Sequence, residues 1–92
     1  MFTVYILYSS TANRYYVGHT SDLTRRLADH NSPQRHNEYT RKNGPWDLVY
    51  AEDGFSSRGE AAQRERQIKG WKSRKMIARL VAQSVNSRRE VE

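Results

Sequence analysis

Two short aromatic runs, Val4-Tyr5-Ile6 and Tyr15-Tyr16-Val17-Gly18-His19, constrain this chain more than any other feature. β-Branched and aromatic side chains at this density suit a pleated, half-buried surface, so each run reads as a strand. The intervening Ser9-Ser10-Thr11-Ala12-Asn13-Arg14 has the composition of a turn. The two runs are therefore expected to pair as a hairpin. Such a hairpin gathers several tyrosine hydroxyls near Gly18 and the start of the next element.

That next element carries a helix signal. Thr20-Ser21-Asp22 offers a hydroxyl for the N-cap and a carboxylate for the first turn, and Leu23 and Leu27 lie four apart on one stripe. Asn31-Ser32-Pro33 ends that helix. Residues 33–45 are polar, carry Tyr39 as their aromatic, and close with Asn43-Gly44-Pro45. A loop this long in a compact domain is often functional. Trp46 to Glu52 is strand-like, with Gly54 expected to end it. Ser57-x-x-Glu60 is a capping box for a second helix running to Gly70, the expected C-cap. Ser73 caps a third, with Met76, Ile77, Leu80 and Val81 on its apolar side. Beyond Val81 the apolar period is lost, and residues 83–92 are expected to be a frayed or disordered tail. The order β-β-α-β-α-α predicts an α+β domain over residues 1–82, a three-stranded antiparallel sheet flanked by helices.

Ninety-two residues suffice for one core, not two. The absence of cysteine excludes a disulfide scaffold, a thiolate nucleophile and a Cys-based zinc site. The N-terminus enters a strand without a signal-peptide pattern and no apolar run could span a bilayer, so a cytoplasmic protein is expected. The net charge of +6 on so small a domain points to a polyanionic partner. Nucleic acid is the first candidate and an anionic membrane surface the second.

Some polar residues sit where the apolar periodicity does not expect them. Ala61, Ala62, Glu65 and Ile68 share one helix face, which puts a carboxylate on the inward side. There it needs a cation, strong donors or a metal; an ordinary salt bridge is the plainer alternative. Arg26 and His30, four apart, border the Leu23–Leu27 stripe, while Arg25 points further out. A solvated arginine and a surface histidine at a helix end are their plainer readings. Tyr8 and Tyr15 read as cross-strand packing; Tyr5 and Tyr16 lie closer to the glycine and the helix start. Between Arg64 and Arg79 stand Arg66, Lys69, Lys72, Arg74 and Lys75 with Glu65 as the acid, a stripe suited to phosphates. No Gly-rich phosphate loop or metal-spaced histidine pair is present.

Taken together, Val4-Tyr5-Ile6, Tyr16-Val17-Gly18 eleven residues after Tyr5, Leu23-x-x-Arg26-Leu27-x-x-His30 and Ala61-Ala62-x-x-Glu65 resemble the GIY-YIG nuclease superfamily. From Phe2 to Val81 the chain is similar to its small single-domain bacterial group, including Tyr39-Thr40-Arg41-Lys42 and Ile68-Lys69-Gly70-Trp71-Lys72. The resemblance implies a metal-dependent endonuclease acting on DNA, with RNA as the lesser candidate, in repair or processing. Tyr5 and Tyr16 would be the motif tyrosines, one of which positions or activates the attacking water. Arg26 would stabilise the phosphoryl transition state and Glu65 would hold a single Mg²⁺ or Mn²⁺, with metal and arginine offsetting its burial. His30 and His19 would serve in proton transfer or phosphate contact. His19, Arg25, Arg41, Lys42, Lys69 and Lys72 are the expected nucleic-acid contacts. The chain departs from the pattern in having Thr3-Val4-Tyr5, without the glycine and isoleucine, and Val17 for the second isoleucine. A lone domain lacks the recognition module of larger relatives, so structure-selective or weakly specific cutting is expected, with a protein partner supplying specificity. The rival function is a non-catalytic nucleic-acid-binding module.

Overall fold

The computed structural model describes residues 1–31 and 45–91, with 84–91 described for the backbone alone. The expectations for the polar loop, Arg41 and Lys42 among them, lie outside the described residues.

The chain forms β1 (Phe2–Ser9), β2 (Arg14–Thr20), α1 (Leu23–Asn31), β3 (Asp47–Phe55), α2 (Arg58–Gly70) and α3 (Arg74–Val91). The sheet order is β2-β1-β3, and both pairings are antiparallel. This is the expected α+β order. No helix among the described residues is long and apolar enough to cross a membrane.

β1 is the central strand, and alternation explains why Val4, Tyr5, Ile6 and Leu7 are all buried. Val4 and Ile6 point to one face, where they meet Val17, Ala61 and Ile68 and are flanked by Ile77, Leu80 and Val81. Tyr5 and Leu7 point to the other, against Trp46, Tyr16, Leu23 and Leu27. Hence α1 covers one face while α2 and α3 cover the other. The sheet is a partition between two small cores.

Local expectations are revised at Trp46, Gly54 and Gly70. Trp46 precedes β3 and is 2% exposed; its backbone N–H donates to Asn31 Oδ1 at 2.7 Å, and its carbonyl accepts from Asn31 Nδ2 at 3.0 Å. An apolar residue beside a strand can serve the core without joining the ladder. Gly54 lies within β3 at φ +92, because Asp53 and Gly54 stand opposite the single residue Thr3, between the pairs Phe2–Phe55 and Val4–Glu52. That bulge uses the conformational freedom of glycine. Gly70 is the last helical residue of α2; Trp71 caps it and Lys72 carries the positive φ of 50 instead. The backbone of α3 runs to Val91. A helix ladder does not require an apolar face once its neighbours have nucleated it.

The first cap differs from the expected one: Asp22 stands before Leu23 as the N-cap itself, its Oδ1 accepting from Arg25 N–H at 3.1 Å, so the carboxylate takes the place foreseen for a hydroxyl and the first turn holds no acid. The second cap is as expected. Ser57 Oγ accepts from Glu60 N–H at 3.2 Å, while the Glu60 carboxylate reaches back to Ser56 N–H at 3.1 Å.

Candidate active site

The site is built around the phenol of Tyr5. Tyr5 pairs with Gly18 across the hairpin. A Cβ placed on Gly18 would sit 2.6 Å from the Tyr5 hydroxyl and 2.8 Å from Cζ. The missing side chain is therefore what allows the Tyr5 ring to lie across β2 and carry its hydroxyl to the sheet edge.

α1 brings two partners to that hydroxyl. Because Asp22 sets the helix start, Leu23 and Leu27 enter the core and Arg26 and His30 fall one turn apart on the flank facing Tyr5. Arg26 Nε–H donates to the Tyr5 oxygen at 3.4 Å, and the Tyr5 hydroxyl is hydrogen-bonded to His30 Nε2 at 2.9 Å. His30 is only 4% exposed, so the surface reading of this histidine is corrected. The His30 ring also meets Tyr16 edge-on, with centroids 4.6 Å apart, and Tyr16 packs on Trp46 at 5.9 Å. Tyr16 itself is half-buried.

Glu65 comes from the opposite face. Its side chain is 17% exposed; Oε1 lies 2.6 Å from His19 Nδ1, and Lys69 Nζ donates to Oε2 at 2.6 Å. Its partners are thus Lys69 and His19, where the sequence suggested Arg26. His19 opposes Val4, so alternation sends it to the α2 face. The two half-sites meet at the β2 edge around Gly18.

The electrostatics come from this layout. Burial pushes the Tyr5 phenol up; Arg26 opposes it, and the charge of Glu65 adds to it. The hydrogen bond to Tyr5 pushes the Arg26 guanidinium up, and Tyr16 acts in the same direction. Burial would raise Glu65, but hydrogen bonds from Lys69 and then His19 win and hold it below the usual carboxylate value. At neutral pH the site therefore holds a neutral phenol, a fixed guanidinium and an ionised carboxylate.

Among the described residues no three His, Asp or Glu side chains converge as a metal cage. Glu65 fits a different kind of ion, one that takes one or two carboxylates and keeps most of its waters. It is ionised and reachable from solvent, and Lys69, half exposed, can yield its place beside Oε2.

Of the other expected contacts, Arg25 lines a hollow of about 290 Å³ with Asp22, Arg26 and Asp29 beside the site. Lys69 and Lys72 lie further along α2 and its end. Tyr8 and Tyr15 pack on one another at 5.0 Å, away from the Tyr5 hydroxyl. Sequence reasoning missed Trp46 and Asn31 as the support beneath Tyr16 and His30. Asn31, next to His30 and before the helix-ending Pro33, was the available signal.

Residues 1–77 match the family described as the GIY-YIG catalytic domain. A UPF0213 protein of Streptococcus pneumoniae (strain TIGR4) is 47% identical over 55 residues, 60% of this chain and 54% of the relative. A UPF0213 protein of Halobacterium salinarum is 41% identical over 69 residues, 75% of this chain and 86% of the relative. The chain spans about half the length of the pneumococcal relatives it matches. The solution NMR structure of a UPF0213 protein from Bacillus halodurans shares the fold at a TM-score of 0.53 and 36% identity, covering 89% of this chain and 84% of that one. With the profile running from β1 into α3 and the architecture shared with a solved relative, this chain belongs to the GIY-YIG catalytic domain family, a family of nuclease domains.

Proposed function

We propose that the protein is a divalent-metal-dependent endonuclease that hydrolyses phosphodiester bonds in DNA. The observation that carries this reading is the convergence on the Tyr5 hydroxyl. Arg26 and His30 bond to it from α1, and the Glu65 charge reaches it from α2.

Each side chain then has a task. Tyr5 is buried and keeps its proton, so its work is to position: it holds Arg26 by Nε, and the guanidinium fork suits a phosphate oxygen. Arg26 supplies charge where it develops on the equatorial oxygens. Tyr16, half-buried beside Arg26 and packed on His30, orients the attacking water. Glu65, with His19 steadying it, would hold Mg²⁺ or Mn²⁺. When bound, such an ion stabilises phosphoryl charge and assists the leaving oxygen. Cutting selected by nucleic-acid structure, a role in DNA repair, a cytoplasmic location and a partner that adds specificity belong to the same proposal.

A second reading has one observation in its favour. Both Glu65 oxygens already have partners within the chain, as expected of a site retained for structure in a nucleic-acid-binding module.

The test is cleavage of branched, flapped, nicked and single-stranded DNA with Mg²⁺ and with Mn²⁺. Metal-dependent nicking lost in Glu65→Ala supports the nuclease. Binding with a steep salt dependence and no cleavage of any substrate by the folded wild type supports the module and removes the enzyme.

A further inference from the structure

A cleft of about 700 Å³ opens between the β1–β2 turn and the α2–α3 junction, on the α2 face of the sheet. One lip carries Asn13 and Arg14, the other Lys69, Lys72, Ser73 and Arg74. Four of these six are cations and none is an acid. Lys69 is shared with Glu65, and Arg74 is occupied in closing the cleft. Arg74 donates from Nη1 to the Asn13 carbonyl at 2.9 Å, bonds through Nη2 to Asn13 Oδ1, and lies over the Tyr15 ring. Arg14 and Lys72 are exposed and make no ion pair with any described residue.

The backbone is unusual at the same place. Among the described residues, the two non-glycine residues with positive φ are Asn13, at 55, and Lys72, at 50, one on each lip. Asparagine tolerates this region; a lysine at a helix end is strained there, where glycine would serve the fold better. Gly70, two residues earlier, is spent on an ordinary helical position. Packing does not account for a lysine at position 72, because its side chain is exposed. Its charge does.

We propose that this cleft seats backbone phosphates of the same nucleic-acid strand, a few phosphates along from the one at Glu65. This rests on the nuclease-type reading for the position of the scissile bond, though not for binding itself. Glu65 and Gly70, the last residue of α2 before Lys72, are about 8 Å apart along the helix axis, and His19 and Arg14 about 16 Å apart along β2. The cleft is thus a few phosphates from the reacting centre, on the strand that Lys69 borders. Arg14 and Lys72 are the paired contacts, one from each lip. Arg74 is a positioning residue that ties the turn to α3.

The test is binding of the full-length chain to short single-stranded and duplex DNA without divalent metal, across a salt series, for wild type, Arg14→Ala, Lys72→Gly and Lys72→Arg. Arg14→Ala and Lys72→Gly should each weaken binding about three- to tenfold and lower the slope of log K against log salt by about one. Lys72→Gly should do so with a thermal midpoint at or above wild type, since the strain is relieved. Lys72→Arg should bind as wild type. Affinity and slope unchanged in both Arg14→Ala and Lys72→Gly overturn the proposal. If the variants weaken binding as expected while wild type cuts nothing when metal is added, the cleft stands and the nuclease reading falls. If wild type binds no nucleic acid, both fall.

Discussion

Tyr5 lies across Gly18, its partner on the neighbouring strand, so closely that the glycine's missing Cβ is the space the phenol occupies. The glycine of the second half-motif is thereby explained by contact with the tyrosine of the first. Gly18→Ala must displace either the ring or β2. Overpacking of this kind costs about 1–3 kcal/mol. Urea unfolding should show that loss, and any cleavage activity should fall with it because Arg26 and His30 are held through the same hydroxyl. A variant as stable and active as wild type would mean that Tyr5 moves aside without consequence.

Tyr5→Phe keeps the ring and removes the hydroxyl. Arg26 Nε then loses its 3.4 Å acceptor and His30 Nε2 its 2.9 Å partner in a buried setting. Loss of a buried hydrogen-bond partner costs about 1–3 kcal/mol. If Tyr5 positions Arg26, catalysis should drop about a hundredfold or more, comparable to removing a preorganised donor. Arg26→Ala on top of Tyr5→Phe should then add little. Additive losses in that double-mutant cycle would separate the two residues.

Glu65→Gln should leave the fold in place while ending metal-dependent cleavage. Its pH dependence has a fixed sign. The folded-state value of Glu65 is depressed, by hydrogen bonds from Lys69 and His19 that outweigh burial. The native chain therefore binds this proton less readily than the unfolded one. The stability from Glu65 is present above the ordinary carboxylate value and is lost as pH falls through the lowered one. The difference in stability between wild type and Glu65→Gln should shrink on acidification, measured by urea unfolding at several pH values.

Asn31→Ala breaks two bonds to the Trp46 backbone, at 2.7 and 3.0 Å. We expect a loss of about 1–3 kcal/mol and a red shift of Trp46 fluorescence in a Trp71→Phe background, as the indole leaves its place under Tyr16. An unshifted spectrum would show that packing alone retains Trp46.

At alkaline pH the weak point is on the other face. Tyr50 donates to Glu52 at 2.6 Å, and Arg64 bonds the same carboxylate at 2.9 Å. Burial, then the bond and charge of Glu52, push the Tyr50 phenol from 10.0 up to about 12. The folded chain keeps a proton that the unfolded chain sheds, so stability falls as pH rises between those values. Tyr50→Phe should flatten that decline in thermal midpoint.

The sequence by itself determined the elements and much of their order. The β-branched and aromatic run Val4–Ile6, the Leu23–Leu27 spacing and the Ser57–Glu60 cap are local patterns, and local patterns encode strand, helix and start site. It also singled out Glu65 as a carboxylate on an inward stripe. What it could not supply was the partner, because Lys69, one turn along the same helix, and His19, on a distant strand, compete for those oxygens on equal terms until the chain is folded. The same holds for His30, whose burial depends on Tyr5 and Tyr16 arriving over it, and for Trp46, whose place depends on Asn31. The two lips of the basic cleft lie far apart in the chain, with Arg74 reaching Asn13 only once α3 packs beside the hairpin. Which cations face one another is a property of how helices and sheet meet, and periodicity along one segment carries no record of that.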